Sequence, residues 1–241
     1  MRKAVLIGIA AAAVAIAGCG RSHAEDAGPT VDRSYQVGTF DGIEIAGPVD
    51  VEVTSGAAPS VSASGPQKLI ERMVVEVKDG KLRIHPEKER GFHWGGWGNS
   101  GKATFRVTAP SLREASIAGS GGLRIHEVKG DSFNGAVAGS GDLDIESLQV
   151  QSLKLAIGGS GDVRAAGQAK AAEYNIAGSG DIDAAGVNSQ TASVSIAGSG
   201  NIAGHASGTA DISIMGSGNV TMTGGAKCNV SKAGSGSIEC S

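Results

Sequence analysis

From residue 112 to residue 241, apolar residues alternate with polar ones at period two on both sides of a recurring Gly-Ser-Gly triplet. The triplets begin at Gly119, Gly139, Gly159, Gly178, Gly198, Gly216 and Gly234, at steps of 20, 20, 19, 20, 18 and 18 residues. Two positions before the first glycine stand Ile117, Val137, Ile157, Ile176, Ile196, Ile214 and then Lys232. Four positions after it stand Leu123, Leu143, Val163, Ile182, Ile202, Val220 and Ile238. Period-two alternation is a strand signature, and a helix would need spacings of three and four. A fixed period of about 20 residues means that each repeat is one coil, unable to bury its inward side alone. Stacked coils bury a continuous column of Ile and Val. The pattern therefore predicts an all-β, single-stranded parallel β-helix, a rod about 30 Å long over these repeats. The right-handed form is expected by analogy with most such folds.

The corner glycines fit a sharp turn that needs positive φ, and Ser120, Ser140, Ser160, Ser179, Ser199, Ser217 and Ser235 then stack in a row. A ladder of their hydroxyls along the corner is expected, since each can donate and accept. Lys232 breaks the core column only in the last repeat, as suits a capping coil with one face open to water.

The segment before the repeats, residues 34–111, has a different pattern and reads as an N-terminal β region that makes one continuous unit with the β-helix repeats of residues 112–241. Phe40 to Ile45 and Val49 to Val53 alternate as strands split by Gly47-Pro48. Val74 to Val77 and Leu82 to Ile84 form a hairpin across Lys78-Asp79-Gly80-Lys81. Ala103 to Val107 adds a strand stopped by Pro110, and one short helix fits Gln67 to Arg72.

Residues 1–18 have the form of a signal peptide: Arg2 and Lys3, then an apolar run too short for a comfortable membrane span. Ile16-Ala17-Gly18-Cys19 resembles a bacterial lipobox, which makes Cys19 the lipid acceptor and residues 19–33 a lipidated tether. An ordinary secretory signal cut after Ser22-His23-Ala24 is the alternative. Gly20 after the cysteine, by resemblance to Gram-negative lipoproteins, favours the outer membrane.

Cleavage removes Arg2 and Lys3 and takes the formal net charge from -3 to -5, so nucleic acid is not an expected partner. Export places the chain in an oxidising compartment. Cys228 and Cys240 lie six residues before and six after Gly234, with the parity of inward columns, and a disulfide between them is expected. The alternative is two buried free thiols.

The Gly38-Thr39-Phe40-Asp41-Gly42-Ile43 stretch, the Asp50-Val51-Glu52-Val53 strand and units such as Gly178-Ser179-Gly180-Asp181-Ile182 resemble the bacterial family described as "putative auto-transporter adhesin, head GIN domain". The resemblance covers about Ser34 to Cys240. It implies a pectin-lyase-like β-helix without recognisable catalytic residues, and a role in adhesion.

Little in the sequence points to catalysis. His23, His85, His93, His126 and His205 have no metal-ligand spacing, and no Ser-His-Asp order with an elbow motif appears. Asp142, Asp162 and Asp181, followed by Asn201 and Asn219, share one column. Turn residues of this kind bond the local backbone, with a calcium ladder as the other reading. The Asp142 and Asp144 pair would serve a carbohydrate-active β-helix. Both tryptophans fall in Gly91 to Gly98, so His93, Trp94 and Trp97 are the candidate ligand contacts, with a hairpin tip or a lid on the solenoid's first coil as the alternative. The expected function is a non-catalytic cell-envelope lipoprotein with no metal or cofactor, held to the membrane by its lipid and binding an envelope glycan or protein partner. The alternative is a carbohydrate-active or polysaccharide-binding solenoid.

Overall fold

The chain is described by a computed structural model over residues 28–87 and 102–241. Cys19, His23, His93, Trp94 and Trp97 lie outside the described residues. The strands of the first half are β1 (Thr30–Tyr35), β2 (Gly42–Ala46), β3 (Val49–Ser55), β4 (Ser60–Pro66), β5 (Met73–Lys78), β6 (Lys81–Pro86), β7 (Ala103–Ala109), β8 (Glu114–Gly119) and β9 (Gly122–Ile125). The second half adds β10 (Val128–Lys129), β11 (Ser132–Gly139), β12 (Asp142–Gly159), β13 (Asp162–Gly178), β14 (Ile182–Gly198), β15 (Asn201–Gly216), β16 (Asn219–Thr223), β17 (Lys227–Ala233) and β18 (Ile238–Cys240). One five-residue helix, α1 (Gln67–Glu71), follows β4 where the sequence placed it.

Successive coils pair in parallel along the whole repeat region. Ile117 lies beside Val137, Val137 beside Ile157, Ile157 beside Ile176, and Ile176 beside Ile196. Long strands such as β12 bend around the coil and pair with the next coil on two faces, with a register irregularity between Ile145 and Leu148 at the bend. The fold is the expected β-solenoid. Its inward columns are closed to solvent: Ile117, Leu123, Val137, Leu143, Ile157, Val163 and Ile176 are at most 2% exposed.

Residues 34–111 continue the stack. β2 pairs in parallel with β8, Ile45 beside Ile117, and β3 pairs in parallel with β9, Val51 beside Leu123. Ile43, Ile45, Val51 and Val53 thus occupy the columns of a further coil, with Gly47 (φ +96°) at its corner. β6 and β7 make one more layer on top, through Ile45 beside Ile84 and Val51 beside Phe105. Only then does the direction change. β5 pairs antiparallel with β6, β4 antiparallel with β7, and β1 antiparallel with β4. These antiparallel strands close the N-terminal end of the stack. The expected tether of residues 19–33 also ends early, because Thr30 to Arg33 already pair with Pro66 to Ala63 in the sheet.

The two glycines of each triplet are needed for different reasons. The first, from Gly119 to Gly234, has φ between +123° and +139°, which other residues adopt only with strain. The second has no such angle. A Cβ on Gly180 would instead fall on the carbonyl oxygen of Gly161 in the coil beneath, as would one on Gly161 against Gly141. The expected hydroxyl ladder is absent among the described residues. The corner is held by backbone bonds, Ser140 N–H to Gly119 O and Ser160 N–H to Gly139 O, both 2.8 Å, and the serine side chains face solvent. Backbone groups take the ladder because the coils approach there closely enough for N–H to reach C=O directly.

The C-terminal end is open. Val230 is 53% exposed, and Lys232 folds over the coil to donate to the Gly236 carbonyl at 2.7 Å. Cys228 and Cys240 form the expected disulfide across this last coil, joining β17 to β18.

Candidate functional site

In-register stacking turns every outward position into a column, so the surface is a set of linear arrays. Three faces result, and they differ in chemistry.

The face built from β2, β8, β11 and the C-terminal parts of β12 to β15 carries small residues. Ala118, Ala138, Gly158, Ala177 and Ala197 share one column and line a shallow groove with Ser116, Ala136 and Ala156. Its smoothness follows from the sequence, since no side chain larger than alanine occupies that column between Ala118 and Ala197.

The second face, built from β7, β3, β9 and the strand segments that follow each triplet, is charged. Arg106, Glu52, Arg124, Asp144, Arg164 and Asp183 succeed one another in register, alternating in sign. Arg124 lies 3.3 Å from Asp144, and Arg106 lies 3.8 Å from Glu52. These are exposed pairs, each worth little alone. His126 is held more tightly, its Nε2 2.9 Å from Glu52 and its Nδ1 2.7 Å from Glu146. Both partners are carboxylates, so the ring satisfies both only as a donor at each nitrogen. The hydrogen bonds to Glu52 and then Glu146 hold the His126 imidazolium, raising its pKa above the ordinary histidine range. The reciprocal bond lowers Glu52.

Beside this column runs the Asp and Asn column singled out in the sequence. Its side chains are spent on holding coils together. Asp162 Oδ1 accepts the N–H of Asp181 at 3.2 Å, Asp181 Oδ1 accepts both the N–H and the side-chain amide of Asn201 at 2.8 Å, and Asn219 donates to Asn201 at 2.8 Å. Among the described residues no group of three or more Asp, Glu, His or Cys has a metal-binding arrangement. Gly122 interrupts the column and leaves a polar notch lined by Asp50, Glu52, Arg124, Asp142, Asp144 and Arg164. The Asp142 and Asp144 pair therefore does sit at a depression, among guanidinium groups.

The third face is formed by the segments around Gln149, Gln168, Asn188 and His205, which lie beside one another in that order. It forms a polar depression of about 440 Å³. Sequence reading missed this face, because its members are 17 to 20 residues apart and no single repeat carries the pattern. The available signal was that four of the six glutamines, Gln149, Gln151, Gln168 and Gln190, fall within 42 residues.

His93, Trp94 and Trp97 fall in the sequence between β6, which ends at Pro86, and β7, which starts at Ala103, and lie outside the described residues. Cys228 and Cys240 bridge β17 and β18 on the last coil.

The molecule is similar to several solved structures. One is described as a "putative adhesin" from Bacteroides fragilis, 24% identical over 88% of this chain and 97% of that one, with a TM-score of 0.78. Another is a "putative lipid binding protein" from Parabacteroides distasonis, 26% identical over 89% and 97%, with a TM-score of 0.71. A third is a "putative adhesin" from Parabacteroides merdae, 20% identical over 89% and 97%, with a TM-score of 0.61. No curated protein matches the chain. The solenoid with its cryptic coil at Gly47 also coincides with a family pattern that spans residues 39–226. On that match the chain belongs to the family described as "putative auto-transporter adhesin, head GIN domain".

Proposed function

We propose that this is a non-catalytic envelope lipoprotein, anchored through Cys19, that adheres to an extracellular polymer through the outer faces of its solenoid. The carrying observation is the in-register array. A polymer with a regular repeat meets a surface whose own groups repeat at one coil, about 4.8 Å. Membership of an adhesin family agrees with a cell-surface role. A rigid, fully packed stack also suits binding, since it presents groups without ordering cost.

The anchor and the binding are tested separately. Cys19→Ser is expected to release the protein from membranes and abolish fatty-acid labelling. Membrane retention of the unlabelled variant would sink the lipobox reading. For binding, a glycan array read with wild type and with a Trp94→Ala/Trp97→Ala double variant is the direct assay. Binding by wild type that weakens in the double variant places the 87–102 connection in the contact.

The second reading, a carbohydrate-active protein, is favoured by one observation: the notch at Gly122 holds the carboxylates of Asp50, Glu52, Asp142 and Asp144 with Arg124 and Arg164. Release of new reducing ends from a bound glycan, lost in Asp142→Asn, would favour it over adhesion.

A further inference from the structure

On the third face the side chains of Gln149, Gln168 and Asn188 stand in one column, by the pairing of Gln149 with Gln168 and of Gln168 with Asn188. A second column follows from the flanking pairs. Val150 with Ala169 and Ser152 with Ala171 place Gln151 over Lys170. Ala169 with Ser189 and Ala171 with Thr191 place Lys170 over Gln190. The result is a two-by-three grid of exposed polar side chains on three successive coils.

Three properties separate this grid from the rest of the surface. First, among the described residues none of its five amides makes a side-chain hydrogen bond, and Lys170 has no ion pair. Elsewhere Asn201, Asn219 and Asn229 each donate to the coil beneath, at 2.8 Å. Second, no Asp or Glu lines the depression, although the chain has 24 acidic residues against 21 basic ones. Third, Val150, Ala169 and Ser189 beneath it are buried and pinned, with Ser189 Oγ donating to the His205 carbonyl at 2.6 Å. The grid is rigid, open and weakly positive on an acidic protein.

We infer that the amide grid of Gln149, Gln151, Gln168, Asn188 and Gln190, centred on Lys170, is a docking site for a linear acidic polysaccharide. Each amide offers a donor pair and an acceptor in one plane, the complement of sugar hydroxyls, which do both. A pyranose residue in an extended chain spans about one coil spacing, so successive sugars meet successive rows. Lys170 makes no ion pair among the described residues and no carboxylate lines the depression, so the site favours a ligand that carries carboxylates. Nucleic acid is a poor occupant, because one lysine replaces the several cations that phosphate binding needs. A protein partner is disfavoured as well, since the patch has none of the aromatic anchors that carry interface energy.

This inference rests on the adhesive reading above, and its test keeps the two apart. Full-length protein in detergent is titrated with size-graded oligouronates and with neutral oligoglucosides of equal length. The comparison set is wild type, Lys170→Ala, Gln168→Ala/Gln190→Ala, and an Asn134→Ala control on another face. Wild type is expected to prefer oligouronates, with affinity rising to about three sugars and then levelling as the three rows are filled. Lys170→Ala and the double glutamine variant are each expected to weaken binding by about three- to tenfold, with the control unchanged. Uronate binding equal in all four proteins would overturn the grid and leave adhesion standing. Equal affinity for neutral chains would overturn the acidic ligand class. No binding to any glycan here or on the array would remove the adhesive reading together with the grid.

Discussion

His126 on one coil places its Nδ1 2.7 Å from Oε2 of Glu146 on the next, while its other nitrogen reaches Glu52 on the coil before. The three residues tie the cryptic Gly47 coil to the triplet coils. The raised His126 value means that its contribution is complete below the unfolded histidine value of about 6.5 and is lost as pH rises through the folded value. The lowered Glu52 value gives the opposite limb, present above the unfolded value of about 4.3 and lost as pH falls through the folded one. Melting temperature measured against pH is thus expected to show wild type above His126→Gln by about 1–3 °C near pH 5.5, the groups being partly exposed. The gap should close by pH 9. A gap that is constant or widens with pH would contradict the clasp.

Gly180 and Ser179 separate the two demands of the corner. Gly180→Ala puts a methyl group on the Gly161 carbonyl oxygen, a backbone atom fixed by the coil beneath, and is expected to cost about 2–4 kcal/mol. Ser179→Ala removes a solvent-facing hydroxyl and should stay within about 0.5 kcal/mol. Denaturant unfolding of both variants decides it. Equal costs would show that the serine is structural after all.

Tyr174 is fully buried in the inward column and its hydroxyl has no hydrogen-bond partner among the described residues. Burial pushes its pKa well up, which keeps it neutral. Tyr174→Phe keeps the ring and deletes the orphaned group. It is expected to stabilise by about 1–2 kcal/mol. A loss of stability on denaturant unfolding would reveal a partner for the hydroxyl.

The repeat was legible because stacking demands the same residue at the same place in every coil. Ile117, Ile157 and Gly159 each have coils on both sides and must fit them. The coil of Ile43, Ile45, Val51 and Val53 kept the column offsets, but Pro48-Val49 replaces Ser-Gly at its corner. Val49 pairs with Ala103 of β7, where the triplet coils have glycine over glycine. Matching apolar offsets around Gly47, without requiring Ser-Gly, would have found it. The amide grid and the His126 clasp were not legible. Glu52 and His126 are 74 residues apart, and only the register of β3 on β9 brings them together.

The Cys228–Cys240 bridge closes a 12-residue separation on the last coil, which among the described residues pairs only with the coil of β15 and β16. Reduction is expected to remove about 2–4 kcal/mol of local stability and to speed amide exchange in β17 and β18, leaving β12 to β14 unchanged. Intact-mass analysis after alkylation without reductant should find neither thiol labelled. Two labels on Cys228 and Cys240, or exchange that accelerates through the whole stack, would contradict a bridge that pins only the terminal coil.

Adhesion without catalysis is tested most directly by following one polymer through binding. The array's best glycan, at defined length, is titrated against full-length protein, and the bound chain is then recovered and sized. Saturable binding with the polymer returned at unchanged length is the predicted result. Absence of saturable binding, or a shortened chain, would contradict it.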